Sequence, residues 1–316
     1  MRPAKRGLDS PRRQVRYFLL YHGAERRGAR AFGVSRHETK QRLPHGRDVS
    51  VARIHSQRSM AAYLAGATAY AEWCHERHGV KSVPEQLGHP AWGREWLSEL
   101  AGRRLAPKTC STYLAAVLKL VEVVCPGRRQ AWLALRDAIP PAAPPGDRAW
   151  TAEEAARLTA YVAARDPELG LAMRVFAATG ARVHEVLRSR QHWHHALHVG
   201  QLTGTHLTLV GKGGQERAVE LSADLAAELA ALAAGRPPRE LLFTATSGRL
   251  YGLLRRACAE LGIRRDGLHA LRYAYAQREH AALLAAGVAP DEADARVSER
   301  IGHRRPRVTR RYLARD

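Results

Sequence analysis

The chain has 316 residues, which is enough for two domains that each bury a hydrophobic core. Its 51 Lys and Arg residues against 30 Asp and Glu residues give a formal net charge of +21, while hydrophobic residues make up an ordinary 45%. No stretch approaches the roughly 18 apolar residues of a membrane-spanning helix, so nucleic acid is favoured over lipid as the polyanionic partner of this charge.

The N-terminal segment, residues 1–48, is very basic and has no apolar stretch of the kind found in secretory signals. The protein is therefore expected in the cytoplasm. Ser10 followed by Pro11 predicts the start of a first helix, with the serine as its cap and the proline at its first position.

The segment continues with a pattern that resembles a helix-turn-helix. Its second helix, predicted over residues 35–43, presents Arg36 and Lys40 for contact with phosphates and base edges of DNA. A basic helical hairpin that covers the next domain fits the same residues, and the sequence leaves both interpretations open.

Residues 49–138 are predicted to form a helical domain of about four helices. Ser56 can cap a long helix that ends at Gly79, because apolar residues recur between them at spacings of three and four. Three basic residues precede a later helix and are candidates for contact with a DNA backbone: Arg103, Arg104 and Lys108. A solvated basic turn has the same sequence pattern.

A proline-rich stretch, residues 139–150, is predicted to link two domains, because four prolines and a glycine allow neither a helix nor a central strand. Thr151 with Glu154 three residues later forms a capping box that opens a new helix at the start of the second domain, residues 151–316. The four cysteines lack the spacing of a zinc site or disulfide framework, so reduced thiols are expected.

The second domain is predicted to be helical except for one β-hairpin. In HLTLVGKGGQERAVEL, every second residue is assigned to one face of the hairpin. These residues are Leu207 and Leu209 on the first strand and Ala218 and Glu220 on the second. The hairpin turn carries Lys212. GKGG is not a nucleotide-binding loop, because a strand rather than a helix follows it.

Three further segments carry residues that can act on a phosphate. Arg182 follows the turn Thr179-Gly180-Ala181, with Glu185 one helical turn later. His269 and Arg272 are three residues apart and share a face of a helix. At the C-terminal end, His303 follows Gly302, and Tyr312 comes nine residues after that histidine.

The order of these residues is more specific than any one of them. An arginine after a glycine turn, a hairpin lysine, His-x-x-Arg, Gly-His and a later tyrosine resemble the motif set of the tyrosine recombinases, the phage integrase family. The resemblance covers roughly residues 50 to 314. It implies a mainly α fold with a small antiparallel β-sheet, built from a helical core-binding (SAM-like) domain and a catalytic domain.

The resemblance implies site-specific DNA recombination through a 3′-phosphotyrosyl intermediate, with no cofactor, metal ion or ATP. Tyr312 would be the nucleophile and His269 its base, while Lys212 would protonate the leaving 5′ oxygen. Arg182 and Arg272 would hold the nonbridging oxygens of the phosphate, since a guanidinium offers a planar fork of donors. His303 would donate to the same phosphate, and Glu185 would orient its neighbours.

The implied partners are double-stranded DNA, three further copies of the chain in a tetramer on two sites, and accessory DNA-bending or directionality proteins. The implied location is a prokaryotic nucleoid. Two other functions fit the sequence: a type IB topoisomerase, and a DNA-binding regulator that keeps the fold without catalysis. The chain departs from the family in carrying Tyr273 after Arg272, in a long stretch before His303, and in ending soon after Tyr312.

Overall fold

A computed structural model describes residues 9–24, 26–27, 30–31, 53–141, 147–189, 196–211, 214–302 and 309–313 of the chain. The chain divides into two compact units, Met1–Pro144 and Pro145–Asp316, and the boundary between them along the sequence falls within the proline-rich stretch. The described residues are mostly helical with a small antiparallel sheet, which confirms the predicted fold class.

The first unit is helical: α1 (Pro11–Tyr17), α2 (Gln57–His78), α3 (Val83–Gln86), α4 (Pro90–Gly102), α5 (Pro107–Val124) and α6 (Arg129–Leu133). A π-helical turn, Phe18–Gly23, continues α1, and the short strands β1 (Arg26–Arg27) and β2 (Arg30–Ala31) pair in antiparallel fashion. These strands occupy part of the segment interpreted as a helix-turn-helix. The recognition helix with Arg36 and Lys40 lies outside the described residues and stays a prediction.

The helix ends follow the capping signals of the sequence. The Ser10 hydroxyl accepts a hydrogen bond from the backbone N–H of Arg13 at 3.3 Å, and Pro11 takes the first position of α1. Ser56 caps α2 by accepting from the N–H of Ser59 at 3.1 Å. Gly79 ends α2 in the left-handed conformation with φ 72°, where a residue without Cβ is favoured. The predicted bounds of this helix are confirmed.

An aromatic cluster forms the centre of the first core. Tyr70 is fully buried, and its ring lies 5.2 Å from that of Trp96 and 5.3 Å from that of Trp132. Val15 and Leu19, from the N-terminal helix and its π-helical turn, are also fully buried in this core. The N-terminal helix and its π-helical turn therefore contribute to the first hydrophobic core.

The second unit contains seven described helices: α7 (Ala152–Ala163), α8 (Pro167–Thr179), α9 (Val183–Val186), α10 (Ala223–Ala233), α11 (Ser247–Leu261), α12 (His269–Ala285) and α13 (Pro290–Arg300). The capping box of Thr151 and Glu154 is present at the start of α7. Just before it, Trp150 is buried and donates from its indole nitrogen to the carbonyl of Arg264 at 3.0 Å. The end of the proline-rich stretch thus packs into the second unit.

A three-stranded antiparallel sheet follows α9 in the chain and precedes α10. Its strands are, in order across the sheet, β3 (Leu202–Thr203), β4 (His206–Gly211) and β5 (Gln215–Glu220). The hairpin is confirmed, but its predicted alternation is wrong by one residue on β5. Arg217 pairs with Leu209 and Val219 with Leu207, so these residues share the inner face, while Ala218 and Glu220 are exposed. Strand propensity does not predict an arginine on the inner face. The ion pair between Arg217 and Glu185 explains its position.

All four cysteines lie in the described part of the chain and are unpaired; Cys74, Cys110 and Cys258 are buried and Cys125 is half-buried. Among the same residues, no helix combines the length and the apolar character needed to cross a bilayer. Nor do the described His, Cys, Asp and Glu side chains form a group of three that could hold a metal ion.

Candidate active site

A tight turn after α8 sets the position of Arg182. Gly180 ends that helix with φ 58°, and a Cβ at this residue would lie 2.6 Å from Cδ1 of Tyr275, so a glycine is required on both counts. The turn places Arg182 at the N-cap of α9 and Glu185 inside its first turn. The sequence Thr-Gly-Ala-Arg therefore places an arginine at the start of α9, where it donates to Glu185.

Glu185 is the centre of a buried ion-pair cluster. Its side chain is 0% exposed and accepts from Arg182 Nη1 at 2.8 Å and from the Arg182 backbone N–H at 3.0 Å. Arg217, from β5, donates its Nη2 to the same carboxylate at 2.6 Å. The carboxylate thus fixes both guanidiniums with respect to the backbone of α9.

Burial alone would raise the pKa of Glu185, because it disfavours the charged form. The positive charge of Arg217, its hydrogen bond, and the N–H and charge of Arg182 outweigh this effect and lower the pKa to about 2. Glu185 is therefore fully ionised at neutral pH, which suits an orienting group and excludes a proton donor.

Replacing Glu185 with glutamine is expected to destabilise the protein at neutral pH and to matter less in acid. The folded pKa lies below the ordinary 4.5, so the stabilisation by the ionised group is complete above that value and declines as the pH falls toward 2. The shift corresponds to roughly 3 kcal/mol. Urea unfolding of both proteins between about pH 6 and about pH 3 measures the difference, with Glu216→Gln as a control at an exposed position of β5.

A difference in unfolding free energy between wild type and Glu185→Gln that stays constant across this range would contradict the assignment. Equal loss in Glu216→Gln would show that the strand, and not the buried carboxylate, is responsible.

Arg272 is a buried residue of the site. It is 1% exposed, and its Nη1 donates to the carbonyl of Gly180 at 2.5 Å while its Nη2 donates to the carbonyl of Ile301. The pKa of Arg272 is lowered to about 10, mainly by burial and next by the positive charge of Arg182. Arg272 therefore stays charged at neutral pH. One side chain thereby joins the turn before Arg182 to the end of α13.

Tyr312 lies beside His269 and Arg272, the two residues of α12 that were predicted to belong to the site. Its ring centroid is 6.2 Å from that of His269 and 5.5 Å from Cζ of Arg272. Tyr273 packs closer still, at 4.5 Å between centroids. The residue at which the chain departs from the family pattern is thus a neighbour of the tyrosine ring. The structure brings together Arg182, Glu185, His269, Arg272 and Tyr312 in one unit.

His269 is an exposed residue, although nearby protein atoms remove part of the water around its ring. This partial burial lowers its pKa below the ordinary 6.5, and the positive charges of Arg272, Arg182 and Arg148 lower it further. The imidazole is therefore neutral at physiological pH. A neutral ring can accept a proton from a phenol, whereas a charged one cannot.

Two predicted site residues, Lys212 and His303, lie outside the described residues, so their roles stay predictions. Their sequence neighbours are described. Gly211 ends β4, where a Cβ would lie 3.2 Å from Oε1 of Glu185, and a Cβ on Gly302 would lie 3.1 Å from Nη1 of Arg217. The residues that precede both Lys212 and His303 are thus in contact with the Glu185 cluster.

Arg217 is the site residue that the sequence reasoning did not identify. Its side chain is 10% exposed and reaches Glu185 from a sheet strand. The alternation of residues along the hairpin could have identified Arg217. With the correct pairing, Arg217 lies on the inner face of β5, where an arginine needs an anionic partner. The sequence did not specify which carboxylate that would be.

The three residues proposed to contact DNA in the first unit, Arg103, Arg104 and Lys108, are all exposed around the turn between α4 and α5. Arg103 pairs with Glu99 one helical turn earlier. Arg104 has φ 57°, an uncommon backbone conformation for a residue other than glycine. The turn thus presents basic side chains to solvent, and their contact with DNA remains a prediction.

Comparison with known proteins rests on the fold alone. No protein-family model and no curated protein sequence matches the chain. Among solved structures, the XerH site-specific recombinase bound to palindromic difH substrate in a post-cleavage complex has a TM-score of 0.58 at 18% identity, over 99% of this chain and 95% of that one. A lambda integrase (75–356) dimer bound to a COC′ core site has a TM-score of 0.56 at 14% identity, over 82% and 89%.

A lambda integrase tetramer bound to a Holliday junction is similar as well, with a TM-score of 0.54 at 14% identity over 82% of this chain and 72% of that chain. The chain therefore has the tyrosine recombinase fold. At these identities the likeness establishes the architecture, and the assignment of activity depends on the residues of the site.

Proposed function

We propose that the protein is a site-specific DNA recombinase or integrase of the tyrosine recombinase family. The observation that carries the proposal is the position of the Tyr312 ring beside His269 and Arg272, in a chain with the fold of known recombinases. Arg182, held by its ion pair with Glu185, supplies a second guanidinium for the same substrate.

In the proposed first step, the phenolic oxygen of Tyr312 attacks a DNA phosphorus and the bond from phosphorus to the 5′ oxygen breaks. A 3′-phosphotyrosyl bond forms and the 5′ end leaves as a hydroxyl. Arg182 and Arg272 stabilise the charge on the nonbridging oxygens, because both guanidiniums are already oriented by the protein. This charge stabilisation calls for no metal ion, and the phosphotyrosyl bond conserves the energy needed for rejoining without ATP.

The two protons of this step have proposed carriers. The phenol proton passes to His269, whose ring is neutral because of its lowered pKa. The departing 5′ oxygen takes its proton from Lys212, and His303 donates a hydrogen bond to the phosphate, as the family resemblance implies. Reversal of the step on a different 5′ hydroxyl completes strand exchange.

The high positive charge supports double-stranded DNA as substrate, with the exposed Arg103, Arg104 and Lys108 on its backbone. Assembly as a tetramer on two sites is part of the proposal, by analogy with the lambda integrase tetramer on a Holliday junction. Accessory DNA-bending or directionality proteins are part of the proposal only as the family resemblance implies them.

A covalent complex on DNA tests the proposed function. Nicked duplexes tiled from the DNA that flanks the gene, labelled at the 5′ end of the cleaved strand, are incubated with the protein and run on a denaturing gel. The label is expected to move with the protein, since the tyrosine retains the 3′ phosphate. Tight binding in a native gel without any covalent band on a cleavable site would instead support a DNA-binding regulator.

The rate of covalent complex formation is expected to rise with pH and to level off with its midpoint below pH 6.5, the ordinary pKa of histidine. His269 must be neutral to accept the proton, and its folded pKa is lowered, so the loss of rate occurs on the acid side. Single-turnover rates at subsaturating DNA across this range report the protonation of the DNA-free protein and measure the midpoint. His269→Gln should react slowly and without this acid limb; an unchanged limb in that variant would assign the titration to another group.

A further inference from the structure

The short segment that carries Tyr312 is tied to α13 by an arginine two residues before the tyrosine. Arg310 donates from Nε to Asp294 Oδ2 at 2.9 Å and from Nη2 to Asp291 Oδ1 at 3.0 Å. The two partners differ sharply in exposure, because the Asp294 side chain is 0% exposed and that of Asp291 is 93% exposed. Asp294 is therefore the partner of Arg310 that is shielded from water.

Asp294 also connects the segment to the helix that carries the other site residues. Its second oxygen, Oδ1, lies 3.2 Å from Nε2 of His280, which belongs to α12. A fully buried carboxylate is costly unless it is paired. Removal of Arg310 from its place would leave this charge without its guanidinium, so the pairing strongly favours the observed position of the segment.

Apolar contacts hold the segment from its other end. Leu313, directly after the tyrosine, is 7% exposed and packs in a small core with Val297 and Ile301 of the α13 region. Thr309, at the start of the segment, is fully buried, and its carbonyl accepts from the Tyr312 N–H at 2.7 Å. The tyrosine thus lies between an arginine paired with a buried carboxylate and a buried leucine.

We propose that Asp294 is a positioning residue for Tyr312. Its pairing with Arg310 holds the phenol beside His269 and Arg272 before DNA arrives. This proposal rests on the proposed function of Tyr312 as the nucleophile. A nucleophile displaced by about 1 Å loses roughly 100-fold in rate, so the pairing is expected to act on the chemical step and not on DNA affinity.

A purely structural role is the alternative, in which Asp294 only joins α13 to α12 through His280. The chain offers a matched control for it. Arg300 of α13 donates to Glu279 of α12, so this pair joins the same two helices without reaching residues 309–313. Asp291→Asn supplies a second control, since it removes the exposed partner of Arg310 and leaves the buried one; exposed ion pairs contribute little.

The experiment compares Asp294→Asn with Glu279→Gln and Asp291→Asn in the full chain. For each, the single-turnover rate of covalent complex formation at saturating nicked duplex, the Kd for that duplex and the Tm are measured. Asp294→Asn is expected to lose roughly 10- to 100-fold in rate with an unchanged Kd, while both controls stay within about twofold of wild type. Arg310→Ala should match Asp294→Asn, and Arg310→Lys should recover part of the rate.

Backbone hydrogen exchange gives a readout that does not depend on activity. The peptide that contains residues 309–313 should exchange faster in Asp294→Asn and Arg310→Ala, and at the wild-type rate in Glu279→Gln. Equal exchange in all proteins, or a wild-type covalent rate in Asp294→Asn, would overturn the proposal. Should Asp294→Asn fail to fold, Arg310→Lys carries the test, because it keeps a positive charge opposite the buried carboxylate and loses only the planar guanidinium.

Different results would contradict the proposed function and the positioning role of Asp294. If wild type forms no covalent complex on any duplex, the proposed function is contradicted, and hydrogen exchange alone decides whether Asp294 positions the segment. If wild type reacts and Asp294→Asn reacts as fast as the controls, the recombinase assignment stands and the positioning role is rejected.

Discussion

Tyr312→Phe is expected to abolish the covalent complex between protein and DNA while leaving DNA affinity unchanged. The substitution removes one oxygen and keeps the ring, so the packing against Tyr273 at 4.5 Å is preserved. Without the phenolic oxygen no phosphotyrosyl bond can form. The covalent band on a denaturing gel should fall below detection, and the Kd from a native gel should stay within about twofold of wild type.

A matched control is Tyr273→Phe, which removes the neighbouring hydroxyl on α12 and leaves the proposed nucleophile in place. It should form the covalent complex. Full covalent activity in Tyr312→Phe would contradict the assignment of the nucleophile, and loss of activity in both variants would indicate that the shared packing, and not one oxygen, is needed.

Arg272→Lys is expected to lose both rate and stability. Lysine keeps the charge but not the planar fork, so it cannot serve the carbonyls of Gly180 and Ile301 together with a phosphate. We expect a rate of covalent complex formation lower by about 10²- to 10³-fold. One buried carbonyl left unpaired should lower the unfolding free energy by about 1–3 kcal/mol.

Arg278→Lys provides the comparison on the same helix, since Arg278 is 56% exposed and donates to a single carbonyl, that of Ala177. It should change neither quantity appreciably. Single-turnover rates at saturating DNA and urea unfolding separate the two effects. A wild-type rate in Arg272→Lys, with only its stability reduced, would confine Arg272 to a structural role.

Local spacing explains why part of the site was predictable. A glycine that must adopt positive φ marks the turn before Arg182, and helical periodicity places Glu185 and Arg272 one turn from their partners. These relations hold over three or four residues, where backbone geometry alone determines which side chains meet. The capping signals at Ser56 and Thr151 were predictable for the same reason.

Contacts between distant residues were not predictable in this way. Arg217 meets Glu185 across 32 positions and Arg310 meets Asp294 across 16. Which carboxylate a given arginine reaches depends on the register of a hairpin or the docking of two helices. Hairpin register and helix docking are features of tertiary structure, and no residue propensity or short motif predicts them. The β5 alternation was wrong because a one-residue choice of register exchanges the two faces of a strand.

The burial of Val15 and Leu19 in the first core constrains any deletion of the basic N-terminus. A chain that starts after residue 45 would lose both side chains, and truncating even one buried leucine costs about 2–5 kcal/mol. Poor site choice by that chain would report a damaged domain as readily as a missing recognition helix. Arg36→Ala and Lys40→Ala in the full-length chain leave Val15 and Leu19 in place, so they separate DNA recognition from the integrity of the domain.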